Sequence, residues 1–414
     1  MGDATGARSG PLAKMVLYYK THLARPASVA CECGLGARSR RGARCFDRCA
    51  TYLGYSWQGE RSLPTFDPAS LGDEGIRREF EFLERRARSV CQSLHDAFGK
   101  PTNFVSFRYI DDREYNAYAR LVSGRYLVEL NAAVPLFNLA LFYGLLSDKR
   151  FLPHLDSTGM AASNFAVPFV IDPSDFERTA EWQVSCSPIR AFAAGTLADV
   201  CSTFVVLHEF GHVLSGHCEG IKHFGGGDAI AELVALRSLS IADIDRRLAW
   251  EADADMVGGG LLAQFVEGLV ADIRPNSRTA DVFSDPDGFD LEHTTAIVIA
   301  SLFVLFCYIE GTRLRFEKSS THPQPQVRAL LIKNVLQLEL ERRGEFDADV
   351  FNRHLDVHLD SAMTALESLG VFDPKGYSSG FSRSVDRQFS KLKTLQDRHR
   401  AECARWAWLG WGGS

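Results

Sequence analysis

The decade His208–His217, HEFGHVLSGH, decides how the rest of this chain is read. It contains HExxH. On a helix, His208 and His212 are four residues apart and share one face, so both imidazoles reach toward a single ion while Glu209 stands beside it. A chain of this length and histidine content holds roughly 0.02 such motifs by chance. Val205, Leu207, Val213 and Leu214 supply apolar backing, Gly211 permits close packing beside an ion, and Gly216 is a natural helix stop. The plain alternative is a histidine pair on an ordinary amphipathic helix.

A catalytic zinc usually takes three protein ligands and keeps one open position. His217 is poorly aimed for the third: five residues after His212 it is turned about 140° away on a continuous helix. The HExxHxxGxxH pattern would instead require a histidine where this chain has Cys218. A better source is Trp250–Gly260, WEADADMVGGG, where Glu251 is the expected third ligand. Asp255, one turn later on the same face, is placed to accept the outer N–H of a ligating imidazole and fix its tautomer. Solvent-facing carboxylates are the bland reading of this pair. Gly258, Gly259 and Gly260 would each cost a helix about 1 kcal/mol, which makes sense where two metal-bearing helices approach closely.

HExxH followed by Gly216-His217, then Glu251-Ala-Asp253-Ala-Asp255 with Gly258, then Ser320-Thr321-His322-Pro323 with Arg328, resembles the M48-like gluzincin metallopeptidases of the Ste24, HtpX and Oma1 types. Asn116, Ala117, Tyr118 and Ala119 resemble that family's NAxA strand element, and the motifs run in the family's order. The resemblance implies a zincin fold, a peptide or protein substrate and hydrolysis of its peptide bonds. In that scheme His208, His212 and Glu251 hold Zn²⁺, which acidifies water and polarises the scissile carbonyl. Glu209 takes the water's proton and delivers it to the departing amine. His322 is the implied second electrophile for the oxyanion, against a capping role in its loop. Arg328 either orders that loop through a carboxylate or is a surface residue, and Asn116–Ala119 either pair with extended substrate or form a neutral edge strand. Two rival functions share these motifs: a metal-stabilised binding or sensor protein without turnover, and a narrow-target protease resembling the Lit-type phage-defence factors.

The 414 residues are 46% hydrophobic and 24% charged, enough for one large or two modest domains with a real core. A formal charge of −6 lacks the positive excess of a phosphate-tracking surface, so nucleic acid is not an expected partner. Residues 1–50 are nonetheless basic, with nine basic groups against three acidic ones. The longest apolar run near the start, Met15–Tyr19, has five residues, too few for a secretory signal. With ten cysteines and no such signal, reduced thiols in the cytoplasm are expected.

Thr294–Ile309, sixteen uncharged and almost wholly apolar residues, reaches roughly 24 Å as a helix, short of a hydrocarbon core of about 30 Å, and reads as a buried helix. Three other features carry weaker signals. Cys31, Cys33, Cys45 and Cys49 have CxC and CxxxC spacing, unlike common zinc ribbons, so a second structural ion is not expected there. His354 and His358 share a helical face, but Arg353, Asp356 and Asp360 mark that helix as solvated. Trp406, Trp408 and Trp411 are expected to pack on the body in preference to a membrane interface.

The elements follow an α+β order, mainly α overall. Residues 1–70 read as a basic, loosely ordered leader, 71–345 as the zincin-like domain and 346–414 as a C-terminal helical extension. An amphipathic helix is predicted over Asp73–Phe98. Strands follow over Asn103–Ile110, Tyr115–Val122 and Arg125–Ala132, forming a small antiparallel sheet with a tight turn at Ser123-Gly124. Residues 149–195, with four prolines, read as an insertion or lid. Helices are then predicted over Leu197–Gly216, Ala229–Ser238, Arg246–Ile273, Leu291–Arg315, Pro325–Arg343, Asp347–Leu369 and Arg383–Trp408.

Overall fold

The computed structural model describes residues 64–99, 104–156, 171, 186–224, 229–231, 240–275, 277–314, 322–344, 346–368 and 380–409. Residues 1–63 of the leader, most of the proline-rich insertion, Trp411 and the four cysteines Cys31, Cys33, Cys45 and Cys49 lie outside the described residues. The end of the leader is packed and not loose: Thr65 bridges to Ile110, Phe66 is buried against Phe80, and Pro68–Ser70 form a single turn capped by Asp67.

Helix α1 (Glu74–Phe98) opens on Asp73, whose side chain accepts from the Ile76 N–H, and closes on Gly99 in the left-handed region. Its inward stripe, Ile76, Phe80, Leu83, Ala87, Cys91 and Leu94, follows helical spacing. Strands β1 (Val105–Ile110), β2 (Ala117–Val122) and β3 (Arg125–Asn131) follow. The β2–β3 hairpin turns through Ser123 at φ 49 and Gly124 at φ 78, the positive pair that a two-residue turn matched to strand twist requires.

The sheet is mixed, which corrects the expected antiparallel one. β1 runs parallel to β3, Val105 opposite Tyr126 through Ile110 opposite Asn131, because the chain passes over the β3 position before turning back through the hairpin. A short strand β4 (Ala229–Ala231) pairs antiparallel with the far edge of β2, giving the order β1-β3-β2-β4. This overturns the helix predicted to begin at Ala229. The helical period there yields to the backbone donors and acceptors offered by the β2 edge.

Helix α2 (Ala133–Ser147) follows β3 directly and is buried almost throughout. Helix α3 (Pro188–Leu214) carries the HExxH segment and starts earlier than predicted. Ser187 caps the Arg190 N–H and Pro188 occupies the first turn, a start signal hidden among the prolines assigned to the insertion. The short α4 (His217–His223) precedes β4, and α5 (Ile241–Ala271) carries the acidic motif. Then come α6 (Arg278–Phe283), α7 (Asp290–Leu314), α8 (Pro325–Arg343), α9 (Ala348–Ser368) and α10 (Gly380–Cys403).

By length and composition α3, α5 and α7 are each apolar enough to cross a membrane. The most apolar window of α7, which holds Thr294–Ile309, is 100% buried within the fold, as its reading as a core helix anticipates. Helix α9 packs onto the same core: its Phe351, Leu355, Ala362, Ala365 and Leu366 join the main cluster. On α9, Arg353, Asp356 and Asp360 do face solvent, but His358 is only 3% exposed, so the solvated-face reading fails for that residue. Trp408 packs on Phe98, Phe104 and Tyr126, and its N–H donates to the Leu214 carbonyl at the end of α3.

Candidate metal centre

Helices α3 and α5 lie against each other along the site, and glycines set how closely. A Cβ on Gly211 would stand 2.8 Å from the Ala254 Cα and carbonyl oxygen, and one on Gly258 would stand 3.1 Å from the His208 nitrogen. Gly259 instead faces Ile332 of α8. Two of the three successive glycines are therefore contact points, one for each neighbouring helix. Gly216, at φ +75, ends α3 and admits the Trp406–Ala407 backbone where a Cβ would clash.

This close contact brings His208, His212 and Glu251 together, with one ligand atom from each lying within 4.8 Å of the others. Glu251 Oε2 is 3.1 Å from His208 Nε2 and 3.5 Å from His212 Nε2. All three residues and Glu209 are buried. Two imidazole nitrogens and a carboxylate oxygen are a zinc donor set, and the residues present fit such an ion. Burial alone would raise the Glu251 pKa; the imidazoles of His322 and His212 and the hydrogen bond with His208 instead hold it well below the carboxylate range.

The outer nitrogen of His208 is fixed as predicted. Its Nδ1 donates to Asp255 Oδ1 at 2.9 Å. Arg328 of α8 grips the same carboxylate in a fork, Nε to Oδ2 at 2.9 Å and Nη2 to Oδ1 at 2.8 Å. Asp255 is fully buried, which alone would raise its pKa, but Arg328 and His208 hold the carboxylate ionised below its usual range. Arg328 is itself buried and lies over the Phe306 ring at 4.1 Å, so it is not a surface residue.

His322, just before α8, is drawn into the cluster. Its Nε2 is 3.0 Å from Glu251 Oε2, the same oxygen that His208 and His212 approach. The expectation for Asn116–Ala119 is corrected. β4 already pairs with Tyr118 and Ala119, closing the β2 edge where a substrate strand would add. Asn116 turns inward, its Oδ1 accepting from the Ala117 N–H and its Nδ2 donating to the Tyr118 hydroxyl.

Sequence reasoning missed a second chain of contacts, behind His212. His217 Nδ1 is 3.0 Å from His212 Nδ1, and its ring stacks on Trp250. Burial and the neighbouring His212 push the His217 pKa well down. Its Nε2 side faces Asp253 Oδ2 at 3.9 Å. Asp253 Oδ1 in turn accepts from Gln396 Nε2 and Arg400 Nε of α10, each at 2.8 Å. The helix breaks at Gly216 and restarts at His217, so the turn there, and not an offset along one continuous helix, places this ring behind His212. Asp253, two residues from Glu251, points to the other side of α5, and nothing local in the sequence pairs it with α10.

No protein-family model, curated protein or solved structure compared with this chain matches it.

Proposed function

We propose that this chain is a zinc-dependent endopeptidase of the M48-like gluzincin kind. The observation that supports it is the meeting of His208 and His212 from one helix with Glu251 from another, with Asp255 on the outer nitrogen of His208. A zinc ion held by these three would supply Lewis acidity toward water and the scissile carbonyl. Glu209, adjacent to His208 and with no ligand role, is the group that accepts a proton from the attacking water and passes it to the departing amine nitrogen. Asp255 and Arg328 hold the His208 ring in one tautomer and one orientation. His217 supports the His212 ring from behind, and His322 lies beside the Glu251 carboxylate.

One observation favours a second reading. The four central residues are at most 1% exposed, so a polypeptide reaches them only if the groups packed over them move, whereas a metal-stabilised binding protein needs no opening. Metal analysis of purified protein beside a peptide-library digest, with Glu209→Gln as control, separates the two. A peptidase variant retains zinc and loses cleavage. If wild-type protein loaded with zinc cleaves nothing in the library, the binding reading stands.

A further inference from the structure

Beside the first turn of α3, where Arg190 holds Asp156, three imidazoles from three different elements meet. His154 lies in the connection after α2, His293 on α7 and His358 on α9. Their ring centroids are 5.3 Å apart for His154–His293, 5.7 Å for His154–His358 and 5.0 Å for His293–His358. Three imidazoles on one tetrahedral ion, each with its nitrogen about 2.0–2.1 Å from the metal, have ring centres roughly 5 Å apart. His354 stands at the rim, 5.1 Å from His293, with its Nε2 3.7 Å from Asp285.

The hydrogen bonds around these rings leave the right nitrogens available. His293 Nδ1 is 3.1 Å from the Phe283 carbonyl, so that nitrogen carries the proton and Nε2 keeps its lone pair. His154 Nε2 is 3.2 Å from the Val282 carbonyl, which leaves the lone pair on Nδ1. These carbonyls end α6, where the last turn has no helical donors of its own. A backbone carbonyl fixing the tautomer of each imidazole is the usual outer support of a metal-binding histidine. His358, 3% exposed, has neither ring nitrogen hydrogen-bonded within the protein. Burying a polar ring with both nitrogens unmet is costly, and a cation shared with its two neighbours would remove that cost.

We propose that His154, His293 and His358 form a second binding site, for a divalent cation of the zinc class, that ties the connection after α2 to α7 and α9. The nitrogens are not drawn together as tightly as the ligand atoms of the first site, so closing on an ion takes rotation of the rings, above all of His154 at the surface. The ion's role is structural. It would join parts of the chain far apart in sequence, and none of its ligands touches the first site.

The test is zinc stoichiometry and affinity on the full chain, with His154→Gln and His358→Gln variants checked by circular dichroism. We expect two zinc ions per wild-type chain. Each variant should keep the first and either lose the second or bind it at least tenfold more weakly. Should His358→Gln fail to fold, His154→Gln, at a surface position, decides alone. A wild-type chain with no zinc beyond that removed by His208→Ala overturns the proposal, as does unchanged second-site affinity in His154→Gln. If the first-site reading is the one that fails, the wild-type chain holds a single ion that His208→Ala leaves in place and His154→Gln removes.

Discussion

Replacing Asp255 with asparagine tests the support behind His208, because it keeps an acceptor in place and removes the charge. In the folded chain this carboxylate is fully buried, receives two N–H groups of a buried Arg328 at 2.8 and 2.9 Å and takes the His208 N–H at 2.9 Å. Taking one partner from a buried ion pair strands the other, at about 3–5 kcal/mol. The same change removes the carboxylate that raises the basicity of His208, which weakens zinc binding about 10- to 100-fold, or about 1.4–2.7 kcal/mol. Urea unfolding in chelator measures the first effect, and competition with a chromophoric chelator the second. The double variant Asp255→Asn with Arg328→Met then separates them. It should recover most of the lost stability, since no charge is left unpaired, while zinc affinity stays low. An unchanged zinc Kd in Asp255→Asn would refute the support role. A double variant no more stable than the single one would refute the ion-pair account.

Glu209→Gln should retain zinc and lower kcat by at least about a hundredfold, read by peptide turnover beside metal content. Gly211→Ala puts a methyl 2.8 Å from the Ala254 backbone, which must push α3 away from α5; a loss of about 1–3 kcal/mol in urea melts and weaker zinc binding are expected, and an unchanged midpoint would disprove the close-approach argument. Burial, with the nearby Asp199 carboxylate, raises the Glu79 pKa to about 7, against an opposing effect of Arg86. Its folded pKa therefore lies above the unfolded one, so the stability linked to its proton is full below about pH 4.5 and is lost as pH rises through 7. Glu79→Gln should gain about 1–3 kcal/mol at pH 8 and almost nothing at pH 4.5, and an equal gain at both would rule out titration as the cause.

Local spacing made half of the centre legible. His208 with His212 and Glu251 with Asp255 are each four apart, and once a helix forms the backbone itself places such pairs on one face. The start of α1 at Asp73 and the stop of α3 at Gly216 were readable for the same reason, through contacts within a turn, whereas the start of α3 at Ser187 was not. Spacing misled where a second element competed. Ala229–Ala231 has a helical pattern but pairs with the open edge of β2, and His358 sits among charged neighbours yet points inward toward α7.

The sequence by itself determined the chemistry available and which side chains share a helical face, because those relations span one or two turns and are set by covalent geometry. Only the tertiary structure decided that β1 lies parallel to β3 and that β4 closes the β2 edge. It also decided that His322 falls on Glu251, that Arg328 and not solvent meets Asp255, and that α10 reaches Asp253. Each of these joins residues whose separation along the chain carries no geometric information. What brings them together is the packing of whole helices, down to the glycines that let α3 and α5 touch.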